Sequence, residues 1–184
     1  MEIIQAEKND CEILASIVSK GNKDVADLLD LNINNAPKHP SFCTSEWILS
    51  DFDRGQKYFI STENGVKNGC VAFEQPNKDT AYLNRLSVLP EFRNKGLGSA
   101  LVQHIIDFSK IKKVTNISIG IIAEHTQLKE WYLKHGFNEG AVQKFDHLPF
   151  NVLYMCTMKY KTTIQAFNPL RYTSFGLAEA RRLP

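Results

Sequence analysis

Apolar residues recur along the chain with two different periods, which separate predicted strands from predicted helices. Short runs rich in β-branched and aromatic residues predict strands at residues 3–6, 57–61, 70–74, 80–88, 116–122 and 152–158. Helical spacing of apolar residues predicts helices at residues 11–18, 97–108 and 126–134. Residues 24–53 are less regular and predict one or two short helices, broken near Pro37 and Pro40. The pattern predicts an antiparallel meander followed by alternating helices and strands.

The most informative stretch is a strand that ends at Val88, a short basic loop, and a helix that begins near Leu97. The first N–H groups of a helix lack intrahelical partners and carry partial positive charge, so they suit a phosphate or diphosphate. Gly96 lets the backbone approach such an anion closely, and Arg93 and Lys95 add positive charge beside it. The stretch lacks the third glycine of a dinucleotide fingerprint and the Gly-Lys-Ser/Thr of a Walker A loop.

Two sequence blocks carry a family resemblance. Residues 88–98 (VLPEFRNKGLG) contain Arg-x-x-Gly-x-Gly directly after a strand, and resemble the acyl-CoA loop of the GNAT superfamily of N-acyltransferases. Residues 131–137 (WYLKHGF) are similar to that family's Leu-Tyr-x-Lys-x-Gly-Phe segment. One helix and one strand lie between the blocks, as in the family. The resemblance covers roughly residues 1–160.

The resemblance implies an α/β (α+β) protein with the GNAT fold. Its sheet is expected to be mixed, mostly antiparallel, six- to seven-stranded and splayed at a central bulge, with about four helices distributed over both faces. We expect residues 1–160 to form this domain. Residues 161–184 carry a net charge of +3 and are expected to be a peripheral tail without a catalytic share.

The resemblance also implies acetyl-CoA as the acyl donor, CoA as product and no metal. The strand before the loop would pair with the pantetheine arm, and the loop amides would hold the diphosphate. The expected cofactor-binding residues are Leu86, Ser87, Val88, Arg93, Asn94, Lys95, Gly96, Leu97, Gly98, Ser99, His125 and Tyr132. Two positions depart from the family: His125 replaces a common asparagine, and Leu128 replaces a small alanine.

The family position of Tyr132 predicts a general acid that donates a proton to the departing thiolate, with a core-facing aromatic as the structural alternative. The general base is not identified by the sequence. Glu74 and Glu124 are weak candidates, and His125 is a third, because each lies at or near the end of a predicted strand. A water chain is a further alternative.

Two functions fit these features. The first is an N-acetyltransferase that moves an acetyl group from acetyl-CoA to a primary amine, by direct attack in a ternary complex. The acceptor would be a small-molecule amine or a protein amino group. The second is a non-catalytic acyl-CoA-binding or sensing module on the same fold. The acidic segment 24–53 either draws a cationic amine towards the site or is a solvated helix face.

Composition limits the partners and the cellular compartment that we expect for this protein. The 184 residues carry 22 Lys+Arg and 20 Asp+Glu, a balance that argues against a dedicated nucleic-acid partner. No apolar run is long enough for a membrane helix, and the acidic N-terminus does not resemble a signal peptide. The four cysteines are scattered, which disfavours a disulfide framework or a zinc site. We expect a cytoplasmic protein without a membrane partner, and leave assembly as a homodimer open.

Overall fold

A computed structural model describes residues 1–157. The strands are β1 (Glu2–Gln5), β2 (Lys57–Glu63), β3 (Val66–Glu74), β4 (Thr80–Val88), β5 (Asn116–Ile122), β6 (Asn138–Lys144) and β7 (Asn151–Cys156). The α-helices of this part of the chain are α1 (Cys11–Gly21), α2 (Lys23–Leu28), α3 (Ser45–Asp53), α4 (Leu97–Ile111) and α5 (Thr126–Lys134). Single 3₁₀ turns lie at Lys8–Asp10, Pro40–Phe42 and Pro90–Phe92.

All seven strands form one sheet in the order β1-β2-β3-β4-β5-β7-β6. The β4–β5 pair is parallel and the other pairs are antiparallel, so the expected mixed, mostly antiparallel fold is confirmed. Strand β6 was not predicted, because its sequence NEGAVQK is polar and mostly exposed at the sheet edge. The proposed domain end at residue 160 and the tail 161–184 lie outside the described residues.

Helices cover both faces of the sheet because its strands are apolar on both sides. One layer holds α4 and α5, whose Leu101, Ile105 and Tyr132 pack in a core with Phe59 and Val71 of the sheet. The opposite layer holds α1 and α3, in a core that includes Ile17, Ile48 and Ile60. Among the helices of residues 1–157, none combines the length and apolar character needed to cross a bilayer.

A β-bulge interrupts the middle of β4. Cys70 of β3 faces Ser87, whereas Ala72 faces Asn84, so Arg85 and Leu86 together lie opposite a single β3 residue. Arg85 has a positive φ of 54°. This left-handed conformation costs a residue with a side chain about 1–2 kcal/mol, so the surroundings must hold it in place. The bulge also sends the two side chains to opposite layers, because Leu86 packs with α4 while Arg85 reaches α3.

The second consequence of the bulge is a separation of β4 from β5. Their ladder consists of three residue pairs, from Thr80 with Asn116 to Tyr82 with Ser118. Beyond these pairs β5 continues to pair with β7 on its other edge as far as Ile122. A wedge therefore opens between the two central strands, in agreement with the expected splay.

A buried ionic contact fastens the bulge to α3. The Nε of Arg85 donates to Oδ2 of Asp51 at 3.2 Å, and only 8% and 2% of the two side chains are exposed. The Tyr58 hydroxyl donates to the same Oδ2 at 2.5 Å, while Arg54 pairs with Oδ1. Asp51 therefore holds three donors against the underside of the sheet.

Replacement of this carboxylate is predicted to destabilise the fold. Asp51→Asn should lower the free energy of unfolding by about 3–5 kcal/mol, because it leaves the Arg85 guanidinium buried without its counter-charge. Asp53→Asn is the matched control on the same helix. Its exposed pair with Lys8 should contribute at most about 1 kcal/mol. Urea unfolding measures both, and equal losses would show that Asp51 does not anchor the bulge.

Candidate active site

A cavity of about 120 Å³ occupies the wedge between the central strands. Leu83 and Leu86 of β4 form one wall, and residues 119–122 of β5 form the other. Because adjacent strands of a complete ladder leave no such space, the cavity exists only where β4 and β5 have separated. Backbone groups on the facing edges of these strands are accordingly free of the partner strand.

The cavity is lined from both faces of the sheet. His125, Leu128 and Tyr132 border it on the α5 side. Asn22 and His39 border it from the segments that follow α1 and α2. Two groups that approach from opposite layers could therefore meet within it.

Tyr132 is the sequence-predicted acid, and its side chain borders the cavity with 5% of its surface exposed. Its ring lies edge-on to Trp131 and Phe137, with centroid distances of 4.9 and 5.3 Å. Burial raises the pKa of the Tyr132 phenol well above its ordinary value. The hydroxyl therefore keeps its proton at neutral pH, as a proton donor must.

The loop before α4 has the geometry of an anion cradle. Gly96 adopts the left-handed conformation with φ 83°, and nothing lies within 4 Å of the position that a Cβ would take. The first helical hydrogen bond runs from the N–H of Ala100 to the carbonyl of Gly96 at 3.0 Å. The amides of residues 97–99 precede this bond, so they are the unpaired groups of the helix start. A diphosphate fits these residues chemically.

The Arg93 side chain, expected to add charge beside the anion, is engaged elsewhere. Its Nε donates to the carbonyl of Val88 at 3.2 Å and its Nη2 to the carbonyl of Gly21 at 2.8 Å. The guanidinium also forms an ion pair with Asp24. Arg93 thus fastens the loop to the end of α1. Lys95 is exposed, donates to the Glu91 carbonyl at 3.1 Å, and directly precedes Gly96 at the helix start.

Other predicted cofactor residues lie around the same loop. Asn94 is exposed and left-handed with φ 60°, whereas the Leu97 side chain is buried in the core. Ser87 is buried, and its hydroxyl accepts from the Asn22 amide at 3.0 Å, so only its backbone faces the strand edges. Val88 packs with the α4 core.

A hydrogen-bonded histidine joins the first turn of α4 to α5. His135 Nδ1 donates to the carbonyl of Trp131 at 2.8 Å, so in the neutral ring Nε2 accepts from the Ser99 hydroxyl at 2.9 Å. Trp131 also lies 3.4 Å from the position of a Gly98 Cβ. These contacts fix the cradle relative to the helix that carries Tyr132. Sequence reasoning missed His135, since only the fold brings it next to Ser99.

The base candidates have different surroundings. Glu74 does not line the cavity; its Oε2 accepts from Gln56 and Asn84, each at 3.0 Å, and burial raises the pKa of its carboxyl. Glu124 is exposed and binds the backbone N–H and side-chain amide of Asn151 at 3.1 and 2.9 Å. His125 does border the cavity, but its Nδ1 accepts from the N–H of Leu128 at 3.3 Å and caps α5. The structure brings His125 alone of these three to Tyr132.

Most acids of the segment 24–53 are ion-paired, which favours the structural interpretation of that segment. The pairs are Asp24 with Arg93, Asp27 with Lys23, Asp51 with Arg54 and Arg85, and Asp53 with Lys8. None of these acids lines the cavity. Steering of a cationic acceptor by this segment therefore has no geometric support.

His39 is a cavity residue that sequence analysis did not single out. Its Nδ1 accepts from the backbone N–H of Ser41 at 3.3 Å and contacts the Ser41 hydroxyl at 2.9 Å. Burial lowers the pKa of His39 to about 4. The ring is therefore neutral at pH 7, and Nε2 carries its hydrogen.

The lowered pKa of His39 predicts a pH dependence of stability. Between pH 6.5 and about 4 the unfolded chain binds a proton at this ring and the folded chain does not, so stability falls as the pH drops through that window. The free energy of unfolding of His39→Gln, measured with urea, should fall less steeply across this pH range than that of wild type. His147→Gln, at an exposed position, should follow wild type. Identical slopes for wild type and His39→Gln would contradict the assignment.

Comparison with known proteins agrees with this geometry. Residues 23–137 match the model of the Acetyltransferase (GNAT) family. A 94-residue stretch is 31% identical to the [ribosomal protein bS18]-alanine N-acetyltransferase of Escherichia coli K12, and it covers 50% of this chain and 63% of that relative.

Solved structures show the same fold. The S18-alanine N-acetyltransferase of Escherichia coli superposes with a TM-score of 0.68 at 19% identity, over 88% of this chain and 97% of that one. A putative acetyltransferase of Salmonella typhimurium with its cofactor acetyl-CoA gives 0.62 at 20% identity, over 89% and 97%. The family model covers more than half of the chain, and the wedge and the glycine loop lie within its matched residues. The chain therefore belongs to the GNAT family of acetyltransferases.

Proposed function

We propose that this protein transfers an acetyl group from acetyl-CoA to a primary amine by direct attack in a ternary complex. The observation that carries the proposal is the wedge between β4 and β5, whose lining includes the buried Tyr132 phenol. His135, which contacts Ser99 and Trp131, links the start of α4 to the helix that carries Tyr132. Family membership and the bS18-alanine N-acetyltransferase named above support the same reaction class. That relative's name indicates a protein amino group as its acceptor; here a protein amino group and a small amine are both candidates.

The chain's own groups divide the work of binding. The amides of residues 97–99 and the Lys95 ammonium would hold a diphosphate at the start of α4. Free backbone groups of residues 86–88 would pair with a pantetheine arm and polarise a carbonyl, as an oxyanion hole does. Bound acetyl-CoA supplies an activated thioester. Tyr132 holds a proton inside the cavity, where it suits a thiol leaving group.

Proton removal from the amine is the larger energetic problem. For a lysine-like amine of pKa near 10.4, deprotonation at pH 7 costs about 4.6 kcal/mol. For a thiol of pKa 8.5, the free-energy difference between the thiol and the thiolate at pH 7 is roughly 2 kcal/mol, so the protonation state of the leaving group is the smaller problem. Among residues 1–157, none of those that line the cavity carries a carboxylate. The proton would leave through water, or the amine would arrive neutral. Action of Glu74 or Glu124 as the base through water stays a prediction.

The compartment and assembly are part of the proposal. All four cysteines are buried thiols, which is typical of proteins that work in a reducing compartment. We therefore place the reaction in the cytoplasm. Formation of a homodimer stays a prediction.

Removal of the Tyr132 hydroxyl tests the acid. Tyr132→Phe should lower kcat at least about tenfold and leave the affinity for acetyl-CoA nearly unchanged, because the phenol acts on the leaving group. Tyr82→Phe, near the start of β4 and outside the cavity lining, is the control and should retain kcat. Release of free thiol measures both. An unchanged rate for Tyr132→Phe would leave the ring with a structural role only.

The glycine loop is tested by a pair of alanine variants. Gly96→Ala and Gly55→Ala both place a Cβ on a left-handed residue with open space around it, so each should cost about 1–2 kcal/mol of stability. Only Gly96→Ala should also weaken CoA binding, by about tenfold or more, since it alters the surface that the anion approaches. Calorimetric titration with CoA measures the affinity. Equal affinities for the two variants would remove the loop from the site.

The alternative of an acyl-CoA sensor makes a distinct prediction. A sensor would bind acetyl-CoA but release no thiol with any amine. Thiol release measured with a panel of amino acids, their amides and polyamines separates the two functions. We expect the wild-type protein to acetylate at least one of these classes of amine.

A further inference from the structure

Arg85 has hydrogen-bonding capacity that the described residues do not use. Its Nε donates to Asp51, and its Nη1 is buried with no hydrogen-bond partner in the part of the chain that the structure describes. The guanidinium carbon lies 5.7 Å from the centroid of the Trp47 ring, which holds the group in place. A buried unpaired donor of a charged group is costly, so such an atom commonly indicates a missing partner.

Arg85 belongs to a cluster of two guanidinium groups and two carboxylates. Asp51 is shared between two guanidinium groups, those of Arg85 and Arg54. Glu74 is close enough to influence this cluster, but its hydrogen bonds run to Gln56 and Asn84. Within this cluster the Nη1 of Arg85 can donate to one further acceptor without replacing an existing contact.

Arg85 lines the cavity between the strands, and the other polar side chains there are mainly donors. In His39 and in His125, Nδ1 accepts from a backbone N–H, so the neutral rings present Nε2–H. Tyr132 retains its phenolic hydrogen. Because the described residues contribute no carboxylate to the lining, the cavity is complementary to a group rich in acceptors.

The size and surroundings of the cavity limit that group. Its volume is about 120 Å³, which suits a small organic acid rather than a bulky phosphate ester. Beside it, Leu31 and Ala36 from the segment after α2 pack with Phe145 and Phe150 from the β6–β7 connection. These apolar contacts border the cavity on the α1–α3 side, next to Ile122.

We infer that the acceptor amine is a small molecule with a carboxylate near its amino group, as in an amino acid, and that Arg85 binds this carboxylate. The inference rests on the proposed function and names its substrate class. The planar guanidinium matches a carboxylate, and it retains a donor that Asp51 does not use. The bulge directs Arg85 to the α1–α3 layer and Leu86 to the other, so the acceptor would enter opposite Tyr132. The same cation disfavours the ammonium form of a nearby amine.

The test compares amino acids with their amides as acceptors, with kcat/KM expressed per unprotonated amine. Wild type should prefer the acids by roughly 10- to 100-fold. Arg85→Met should abolish this preference, so that kcat/KM for the acids falls to the level of the amides. The acid-to-amide ratio is the readout, because loss of the Asp51 contact also lowers the activity that both acceptors share. Arg54→Met is the control, because it also contacts Asp51 but lies outside the cavity lining, and it should keep the preference. Equal use of acids and amides by wild type, or a preference that survives Arg85→Met, would overturn the inference.

A binding measurement covers the case in which Arg85→Met does not fold. Calorimetry of the wild-type chain with CoA present should show amino acids binding and their amides binding at least about tenfold more weakly. Amide binding equal to acid binding would overturn the inference. If acids bind selectively but no amine is acetylated, the substrate class stands and the proposed function fails. If only amines without a carboxylate are acetylated, the proposed function stands and this inference fails.

Discussion

The separation of β4 from β5 is the constraint on which the site depends. A strand with an extra residue cannot keep its register with both neighbours, and here β4 stays paired with β3 on both sides of the bulge while its ladder with β5 ends at Tyr82. The left-handed Arg85 is held by Asp51, so the wedge is maintained by a buried ionic contact. A local backbone irregularity thus creates the cavity of the sheet.

The wedge gives the two layers different chemical tasks. On the α4–α5 side lie a helix N-terminus and a buried phenol, linked through Ser99, His135 and Trp131. On the α1–α3 side lie Arg85 and His39, both fixed by contacts within their own layer. A donor held on one side and an acceptor held on the other would meet between the strands, which is the geometry that direct transfer needs.

Much of the fold could be predicted because the spacing of apolar residues indicates which positions of a strand or helix are buried. The strands that pair at the sheet centre and the long helix α4 are apolar enough to be visible, whereas β6 is a polar edge strand without an apolar alternation. The bulge also leaves a trace, since core-facing residues of β4 are Ala81 and Leu83 before it and Leu86 and Val88 after it, a change of phase. That shift is the signal that could have located Arg85.

Contacts between distant parts of the chain could not be predicted. Arg93 is directed away from the expected anion because Asp24, 69 residues earlier, is its partner in space. His39 likewise reaches the cavity only because the segment after α2 folds back over the sheet. The family resemblance pointed to Tyr132 and the glycine loop, but not to Arg85 and His39, because those two residues lie outside its two motifs.

The account depends on the loop before α4, which we propose binds a diphosphate and thereby directs a thioester into the wedge. Calorimetric titration of the folded chain with CoA and with pantetheine, which lacks the diphosphate, tests it most directly. We expect CoA to bind at least about a hundredfold more tightly than pantetheine, because several charge-assisted hydrogen bonds are lost with the diphosphate. No heat with CoA, or equal affinities for the two compounds, would contradict the account.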